Sequence, residues 1–313
     1  MSALNRRHFL SLLGAAGAAA AMPPAALAAP AAEPFTFVFL TDTHTQPELD
    51  AAHGTDMAFK RVRGMNPEFV IQGGDHVFDS LAVPKSRASS LFDLYAKTEQ
   101  DLGLKVYHTI GNHDCLGIYT ESGIATTDPY YGKKLYEERI GKTYYSFDHK
   151  GHHFIVLDSI EFTSNRHYEG RINKAQIDWL KSDLEALPAG TPIIVSVHIP
   201  LVTAFDSYAP EPKQPAPGTP PPPHGGSVAN SQEVVDLLTG RNVLGVLQGH
   251  THINERVEYK GTPYITSGAV SGNWWRGTRM GFPEGFTVVT VENGKLTTRY
   301  ETYGFKTIDP QNT

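Results

Sequence analysis

The sequence has 313 residues, of which 40% are hydrophobic, so it is long enough to bury a sizeable core and is neither disordered nor fibrous. It carries 27 basic and 33 acidic residues, a net charge of −6, which argues against a nucleic-acid partner. The single cysteine, Cys115, cannot form an intrachain disulfide, so we expect it to be a small packed side chain.

Residues 1–28 have the pattern of a cleavable export signal. Arg6 and Arg7 precede an apolar Ala/Gly-rich run and a small-residue exit that ends at Ala28. This pattern is typical of a twin-arginine signal and predicts export by the twin-arginine machinery to the periplasm or the medium; an ordinary secretory signal is the alternative. Because glycines and Pro23-Pro24 interrupt the run before it reaches ~20 residues, we expect no membrane span.

Cleavage near Ala28 removes two arginines and no acidic residue, which leaves 25 basic against 33 acidic residues, a net charge of −8. A protein with this charge needs a local positive charge to hold an anionic substrate, and bound metal ions are one source.

After a linker at 29–34, one domain is predicted at 35–304, where short apolar runs alternate with segments of helical pattern. Helices are predicted at 85–102, 173–187 and 230–240, the last with Ser231 as its cap and Glu233 in its first turn. The predicted strands are 35–41, 69–72, 106–110, 154–158, 193–197 and 243–247. This alternation predicts an α/β layered fold.

From residue 255 onward the pattern changes to strands with tight turns, at 256–259, 263–267, 286–292 and 295–303. Asn293-Gly294 is typical of a hairpin turn between the last two strands, and we expect this section to close a second sheet. The proline-rich segment 206–226 is predicted as a surface loop, either a lid over the site or a passive insertion. Residues 305–313 are predicted as a tail.

Polar side chains follow five of the predicted strands at the point where each strand ends. They are Asp42 and His44, Asp75, the run Asn112-His113-Asp114, His198, and the pair His250 and His252. Each piece alone is also typical of a turn or a helix cap. Because the carboxyl ends of strands form the ligand crevice of open α/β sheets, we expect the five pieces to meet in one place.

The types of side chain indicate a metal site. Carboxylate, imidazole and amide oxygen without thiolate suit Zn, Mn or Fe, whereas oxygen donors alone favour Mg or Ca. Two aspartates, four histidines and one asparagine are too many donors for one tetrahedral ion, but they suffice for two ions that share a carboxylate.

The order Asp42-x-His44, Gly74-Asp75, Gly111-Asn112-His113-Asp114, His198 and Gly249-His250-Thr251-His252 resembles the five-motif signature of the calcineurin-like metallophosphoesterases. The resemblance covers residues 35–267. It implies two facing mixed β-sheets flanked by helices, an αββα sandwich, with the metals at the edge of the sheets.

The resemblance also implies a role for each residue of the signature. Asp42, His44 and His252 would hold the first ion, Asp75 would bridge, and Asn112, His198 and His250 would hold the second. A hydroxide between the ions would attack phosphorus in line. His113 would protonate the leaving oxygen, helped by its neighbour Asp114.

One position departs from the family pattern. Many members have Asp, Asn or Tyr three residues after the bridging aspartate, but this chain has Phe78, followed by Asp79. Phenylalanine cannot coordinate a metal, so the departure argues against the purple acid phosphatase branch and leaves the role of Asp79 open.

Other residues near the motifs have competing interpretations. Trp274-Trp275 either line the substrate pocket or pack in the core. The remaining histidines are expected to be surface or packing residues, with a supporting role beside Asp75 as the alternative for His76; they are His53, His76, His108, His149, His152, His153 and His224.

The sequence therefore predicts an exported hydrolase of a small-molecule phosphoester, most similar to the bacterial glycerophosphodiesterase and cyclic-nucleotide phosphodiesterase branch. A phosphomonoesterase with the same site is the alternative, and an inactive periplasmic binding protein of the same fold is a third possibility. The natural substrate, the metal identities and the oligomeric state are not encoded in any pattern of the sequence.

Overall fold

The computed structural model describes residues 33–209 and 226–312. The predicted export signal, most of the predicted linker and residues 210–225 of the proline-rich segment lie outside the described residues. Within the described part of the chain, no helix has the length and apolar content that a membrane crossing requires.

The described residues contain five α-helices, which are α1 (Ala51–Gly64), α2 (Lys85–Gln100), α3 (Lys134–Arg139), α4 (Lys174–Ala186) and α5 (Ser231–Leu238). They contain thirteen strands, which are β1 (Phe35–Leu40), β2 (Val70–Gln72), β3 (Val106–His108), β4 (Tyr145–His149), β5 (His152–Leu157), β6 (Ile160–Phe162), β7 (Tyr168–Gly170), β8 (Ile193–Val197), β9 (Val243–Gln248), β10 (Glu255–Tyr259), β11 (Thr262–Thr266), β12 (Phe286–Glu292) and β13 (Lys295–Glu301).

The three predicted helices are confirmed as α2, α4 and α5. The predicted cap of α5 is wrong, because Ser231 is the first helical residue and Asn230 precedes the helix. Asn230 instead uses its side chain to pair with the backbone of Ile172. The sequence patterns gave no prediction for α1, α3, β4, β6 and β7.

Two large mixed sheets form the centre of the fold. The first sheet has the order β13-β12-β1-β2-β3, and the second has the order β10-β11-β9-β8-β5-β4. In the first, β1, β2 and β3 are parallel, and in the second, β5, β8, β9 and β11 are parallel. The strands β6 and β7 form a separate hairpin.

The alternation of side chains along β1 shows how the layers pack. Phe35, Phe37 and Phe39 face a core between the two sheets, where Phe37 lies 5.7 Å from Phe154 of the second sheet. Val38 and Leu40 point the other way, into the core shared with α1 and α2. Strands with both faces buried are hydrophobic throughout, as β1 is. The resulting helix–sheet–sheet–helix arrangement confirms the predicted αββα sandwich.

The sequence predicts that the C-terminal strands close a second sheet together, but the structure divides them between the two sheets. Only β10 and β11 extend the second sheet, whereas β12 pairs antiparallel with β1 and β13 pairs with β12. β12 covers the edge of β1 that would otherwise lie unpaired. The connection 267–285 must therefore cross from one sheet to the other. The predicted turn at Asn293-Gly294 is confirmed, with φ values of 52° and 70°.

Residues 305–312, predicted as part of a tail, pack against the connection 267–285. Phe305 is buried, the Thr307 hydroxyl donates to the carbonyl of Trp275 at 2.7 Å, and the amide of Gln311 donates to the carbonyl of Arg276. This segment therefore supports the crossing between the sheets.

Candidate metal centre

The structure brings all seven predicted metal ligands to one edge of the two sheets. Each follows the carboxyl end of a strand, because parallel strands of both sheets end on this side. The strand ends are those of β1 for Asp42 and His44, β2 for Asp75, β3 for Asn112, β8 for His198, and β9 for His250 and His252.

The potential ligand atoms form overlapping groups. Asp42, His44 and His252 lie within 4.8 Å of one another, and so do Asp75, His198 and His250. The side-chain oxygen of Asn112 is 3.3 Å from Nε2 of His198. The Asp75 carboxylate lies 3.6 Å from His44 and 3.2 Å from His198, so it is between the two groups. This is the arrangement that two ions sharing one carboxylate require.

The hydrogen bonds of two histidines show that the site fits a metal. Nδ1 of His252 donates to the carbonyl of Gly272 at 2.5 Å, and Nδ1 of His198 donates to the carbonyl of Gly73 at 2.8 Å. These bonds leave the Nε2 lone pairs facing the cluster, as is usual for metal-binding histidines. Nε2 of His252 is 3.2 Å from Oδ1 of Asp42, a buried oxygen without a hydrogen-bond partner. A metal ion between these two atoms would give the unpartnered oxygen a partner.

The pKa values show strong mutual electrostatic effects. Burial lowers the pKa of His44 well below its ordinary value. For His198, burial opposes the charged form, but the carboxylates of Asp75 and Asp42 raise the pKa to about 9. For Asp75, burial favours the neutral acid, but His198 and His113 hold the pKa well below its ordinary value. Without metal, His198 therefore carries the charge that balances the carboxylates.

Five candidate ligands adopt left-handed backbone conformations, which bulky residues rarely do; they are Asp42, His44, Asp75, His250 and His252, with φ between 41° and 71°. Bonds between neighbouring loops hold this strained backbone in place. The amide of Asp42 donates to the carbonyl of Gly74 at 2.9 Å, and that of His44 donates to the carbonyl of Asp75 at 3.0 Å. Strain maintained in this way is typical of functional sites.

Two glycines of the motifs are required by close packing. A Cβ atom on Gly111 would lie 2.2 Å from both the amide nitrogen and Oδ1 of Asp75. A Cβ on Gly249 would lie 2.3 Å from the Thr41 hydroxyl and 2.8 Å from Oδ2 of Asp42. Only glycine lets these backbones approach the two aspartates.

Comparison with known proteins agrees with this geometry. The sequence model of the calcineurin-like phosphoesterase family matches residues 35–254. The protein belongs to the calcineurin-like phosphoesterase family. Members are hydrolases of phosphoester bonds, and the clustered aspartates and histidines could bind the two metal ions of this chemistry.

Individual relatives are distant. The chain is 24% identical over 237 residues to a protein of Rhodococcus erythropolis (strain PR4) named probable cyclic nucleotide phosphodiesterase, a match that covers 72% of this chain and 67% of that protein. A dimetal phosphatase from Danio rerio superposes with a TM-score of 0.56 at 15% identity, covering 87% of this chain and 100% of that chain. A purple acid phosphatase from yellow lupin (Lupinus luteus) seeds superposes with a TM-score of 0.57 at 14% identity, covering 89% and 53%. The two structures show a shared fold alone.

The Asp114 carboxylate, which the resemblance implies would help His113, has other partners in this calcineurin-like phosphoesterase. The Asp114 carboxylate is fully buried and accepts hydrogen bonds from the amides of Gly111, Asp75 and His76 at 2.8–3.1 Å. It also bonds Nδ1 of His76 at 2.8 Å. Because these partners surround it, Asp114 holds the loop of Asp75 rather than the side chain of His113.

The carboxylate near His113 belongs to Asp79, with Oδ2 3.9 Å from Nδ1 of His113. The backbone amide of His113 donates to Oδ1 of Asp75 at 2.8 Å, and its ring stacks on Phe78. His113 also forms a possible ligand group with His44 and Asp75. Its position therefore admits both a ligand and a proton-donor role.

The two tryptophans have different positions. Trp275 is fully buried and donates its Nε1 hydrogen to the carbonyls of Thr43 and His44. Trp274 is half-buried, and its ring centre lies 4.4 Å from that of His252. Core packing is therefore confirmed for Trp275, whereas a place for Trp274 in the substrate pocket stays a prediction.

Among the other histidines, His76 has the supporting position beside Asp75 that the sequence analysis gives as its alternative role. It is buried and joins Asp114 to His108 through its two ring nitrogens.

Tyr168 is a site neighbour that the sequence did not reveal, with its ring centre 6.2 Å from that of His250. No signal could have found it, because the β6–β7 hairpin has no clear pattern. Cys115 is buried as expected, and His224 lies outside the described residues.

Proposed function

We propose that the protein is an exported phosphodiesterase that hydrolyses a small-molecule phosphodiester at a two-metal centre. The observation that carries the proposal is that two aromatic side chains flank the centre. The ring centre of Phe78 lies 5.6 Å from that of His44. The ring centre of Trp274 lies 6.1 Å from that of His44, and Trp274 also contacts the ring of His252.

The aromatic walls suit a diester better than a monoester. A diester presents two carbon substituents and one negative charge, whereas a monoester presents one substituent and two charges. Phe78 stands where many family members have a polar residue, so an apolar surface replaces a polar one beside the reacting group. The Rhodococcus relative, named a probable cyclic nucleotide phosphodiesterase, supports the same choice.

The ligand roles in this proposal follow the two groups of atoms. Asp42, His44 and His252 would hold one ion, Asn112, His198 and His250 would hold the other, and Asp75 would be available to both. Bound ions of the Zn, Mn or Fe type supply Lewis-acid activation of water and neutralise charge on the phosphoryl oxygens. Backbone strain and the carbonyls of Gly73 and Gly272 keep the imidazoles oriented before any ion binds.

His113 donates the proton that the leaving oxygen needs. Its backbone bond to Asp75 fixes its position beside the centre, Phe78 restricts its ring, and Oδ2 of Asp79 lies 3.9 Å from its Nδ1. Replacing His113 by Ala should slow alkyl diester cleavage about 10²–10⁴-fold and nitrophenyl diester cleavage far less, because nitrophenolate leaves without a proton. The metal content of the His113→Ala variant should equal that of the wild type, whereas loss of an ion would show that His113 is a ligand.

The choice between diester and monoester is tested with two substrates that share one leaving group. We expect kcat/KM for bis(4-nitrophenyl) phosphate to exceed that for 4-nitrophenyl phosphate by about tenfold or more after metal loading. A faster monoester reaction would instead identify a phosphomonoesterase. Phe78→Asn is the matched variant, and it should shift the ratio toward the monoester.

A further inference from the structure

The turn that carries Trp274 is held rigidly. Trp274 and Trp275 both have left-handed backbones, with φ values of 50° and 68°, which is strained for bulky residues. The buried ring of Trp275 anchors the turn through its bonds to Thr43 and His44 and its packing on Phe305. This anchor fixes the direction of the preceding side chain, Trp274, which lies against His252.

Arg279 extends this surface away from the centre. Its guanidinium lies 5.4 Å from the ring centre of Trp274. A tight turn holds its backbone, because the amide and carbonyl of Arg279 pair with those of Phe282 at 2.9 and 2.8 Å. Arg279 is half-buried, and this burial lowers the pKa of its guanidinium.

The side chains of Trp274 and Arg279 have donors without acceptors. Nε1 of Trp274 and Nε of Arg279 are buried and have no hydrogen-bond partner. The ten other arginines of residues 33–209 and 226–312 all bond a carboxylate or a carbonyl group. Leaving a buried donor unpaired is unfavourable, so such groups call for an explanation.

A bound acceptor explains these donors. Stacking on Trp274 satisfies the face of the guanidinium but none of its N–H groups, which match the geometry of a carboxylate or phosphate. The indole N–H of Trp274, the ring on which the guanidinium stacks, is a second donor without an acceptor. The two groups lie one aromatic ring beyond His252, where the part of a substrate that extends from the reacting phosphoryl group would pass.

We propose that Trp274 and Arg279 form a subsite for an oxyanion, a carboxylate or a second phosphate, carried by one alcohol of the substrate diester. This inference rests on the proposed phosphodiesterase function. It makes Arg279 a specificity-determining residue that contacts the substrate away from the bond that breaks.

The test uses three diesters with one leaving group: butyl 4-nitrophenyl phosphate and two analogues whose terminal methyl group is replaced by a carboxylate or a phosphonate. For the metal-loaded wild type, we expect kcat/KM to be about 10- to 100-fold higher for an anionic analogue, the value of one charge-assisted hydrogen bond. The analogue that benefits identifies the oxyanion. Arg279→Gln should abolish the preference and leave the butyl ester within about twofold. Arg256→Gln, which removes an exposed arginine on β10, should keep the preference.

Two results would overturn the subsite. One is equal cleavage of all three diesters by the wild type. The other is an equal loss on all three in Arg279→Gln, which would place the guanidinium on the reacting phosphoryl group. If no diester is cleaved, the phosphodiesterase proposal fails separately. In that case calorimetry with butylphosphonate and its terminal carboxylate analogue still tests the subsite, because equal affinities of the metal-loaded protein for the two would refute it.

Discussion

Replacing Asp114 by Asn tests whether this carboxylate supports the loop of Asp75. Oδ2 of Asp114 accepts from the amides of Asp75 and Gly111 and from His76, while Oδ1 accepts from the amide of His76. An Asn side chain can place its oxygen at only one of these positions. Its NH₂ group then faces at least one buried N–H, and the remaining bonds lose the carboxylate charge.

The magnitude follows from these contacts. One orphaned buried N–H costs about 1–3 kcal/mol, and three bonds that change from charged to neutral acceptors lose about 1 kcal/mol each. We therefore expect Asp114→Asn to lower the free energy of unfolding by about 4–6 kcal/mol, a large part of the 5–15 kcal/mol typical of folded domains. Urea denaturation of the metal-free protein measures this change.

Asp79→Asn is the matched control. Asp79 is partly exposed and lies 3.9 Å from His113, so its replacement should change the free energy of unfolding by less than about 1 kcal/mol. It should slow alkyl esters more than nitrophenyl esters. If Asp114→Asn were as stable as the wild type and showed that selective loss instead, Asp114 would be the partner of His113 and our account of both aspartates would be refuted.

Three further predictions concern the centre and export. Because the pKa of His198 is raised from 6.5 to about 9, its contribution to the stability of the metal-free protein is complete below pH 6.5 and is lost as the pH rises through 9. The metal-loaded protein should not show this loss. Thermal unfolding of both forms at pH 6 and 9.5 measures the difference. Gly111→Ala should displace Asp75 and lower both metal content and kcat at least tenfold, and normal values would contradict the close packing. Replacing Arg6 and Arg7 by Lys should leave precursor inside the cell, and normal processing would indicate the ordinary secretory route.

The sequence predicted the residues of the centre better than their supports. Asp42, Asp75 and His198 could be placed because each follows an apolar strand, and the carboxyl ends of parallel strands share one side of a sheet. This rule depends only on local pattern and chain direction. It requires no knowledge of how the side chains rotate.

The supports could not be predicted, because they depend on distances between loops. Asp114 follows His113 in sequence, but the turn at Asn112–Asp114 directs its carboxylate toward the amides of Asp75 and His76. Asp79 reaches His113 from a different loop. Likewise, nothing in Trp274-Trp275 reveals which indole is buried, since that depends on the carbonyls of Thr43 and His44. The division of the last four strands between two sheets depends on the unpaired edge of β1.

Metal analysis of the mature protein and of Asp75→Ala tests the central claim most directly. The Asp75 carboxylate lies between the two ligand groups, so the wild type should bind about two transition-metal ions per chain after reconstitution and dialysis. Asp75→Ala should bind one or none and lose hydrolysis of bis(4-nitrophenyl) phosphate, because two cations without the bridge repel each other. A variant that kept two ions and a near-normal rate, or a wild type fully active with a single ion, would contradict the two-metal centre.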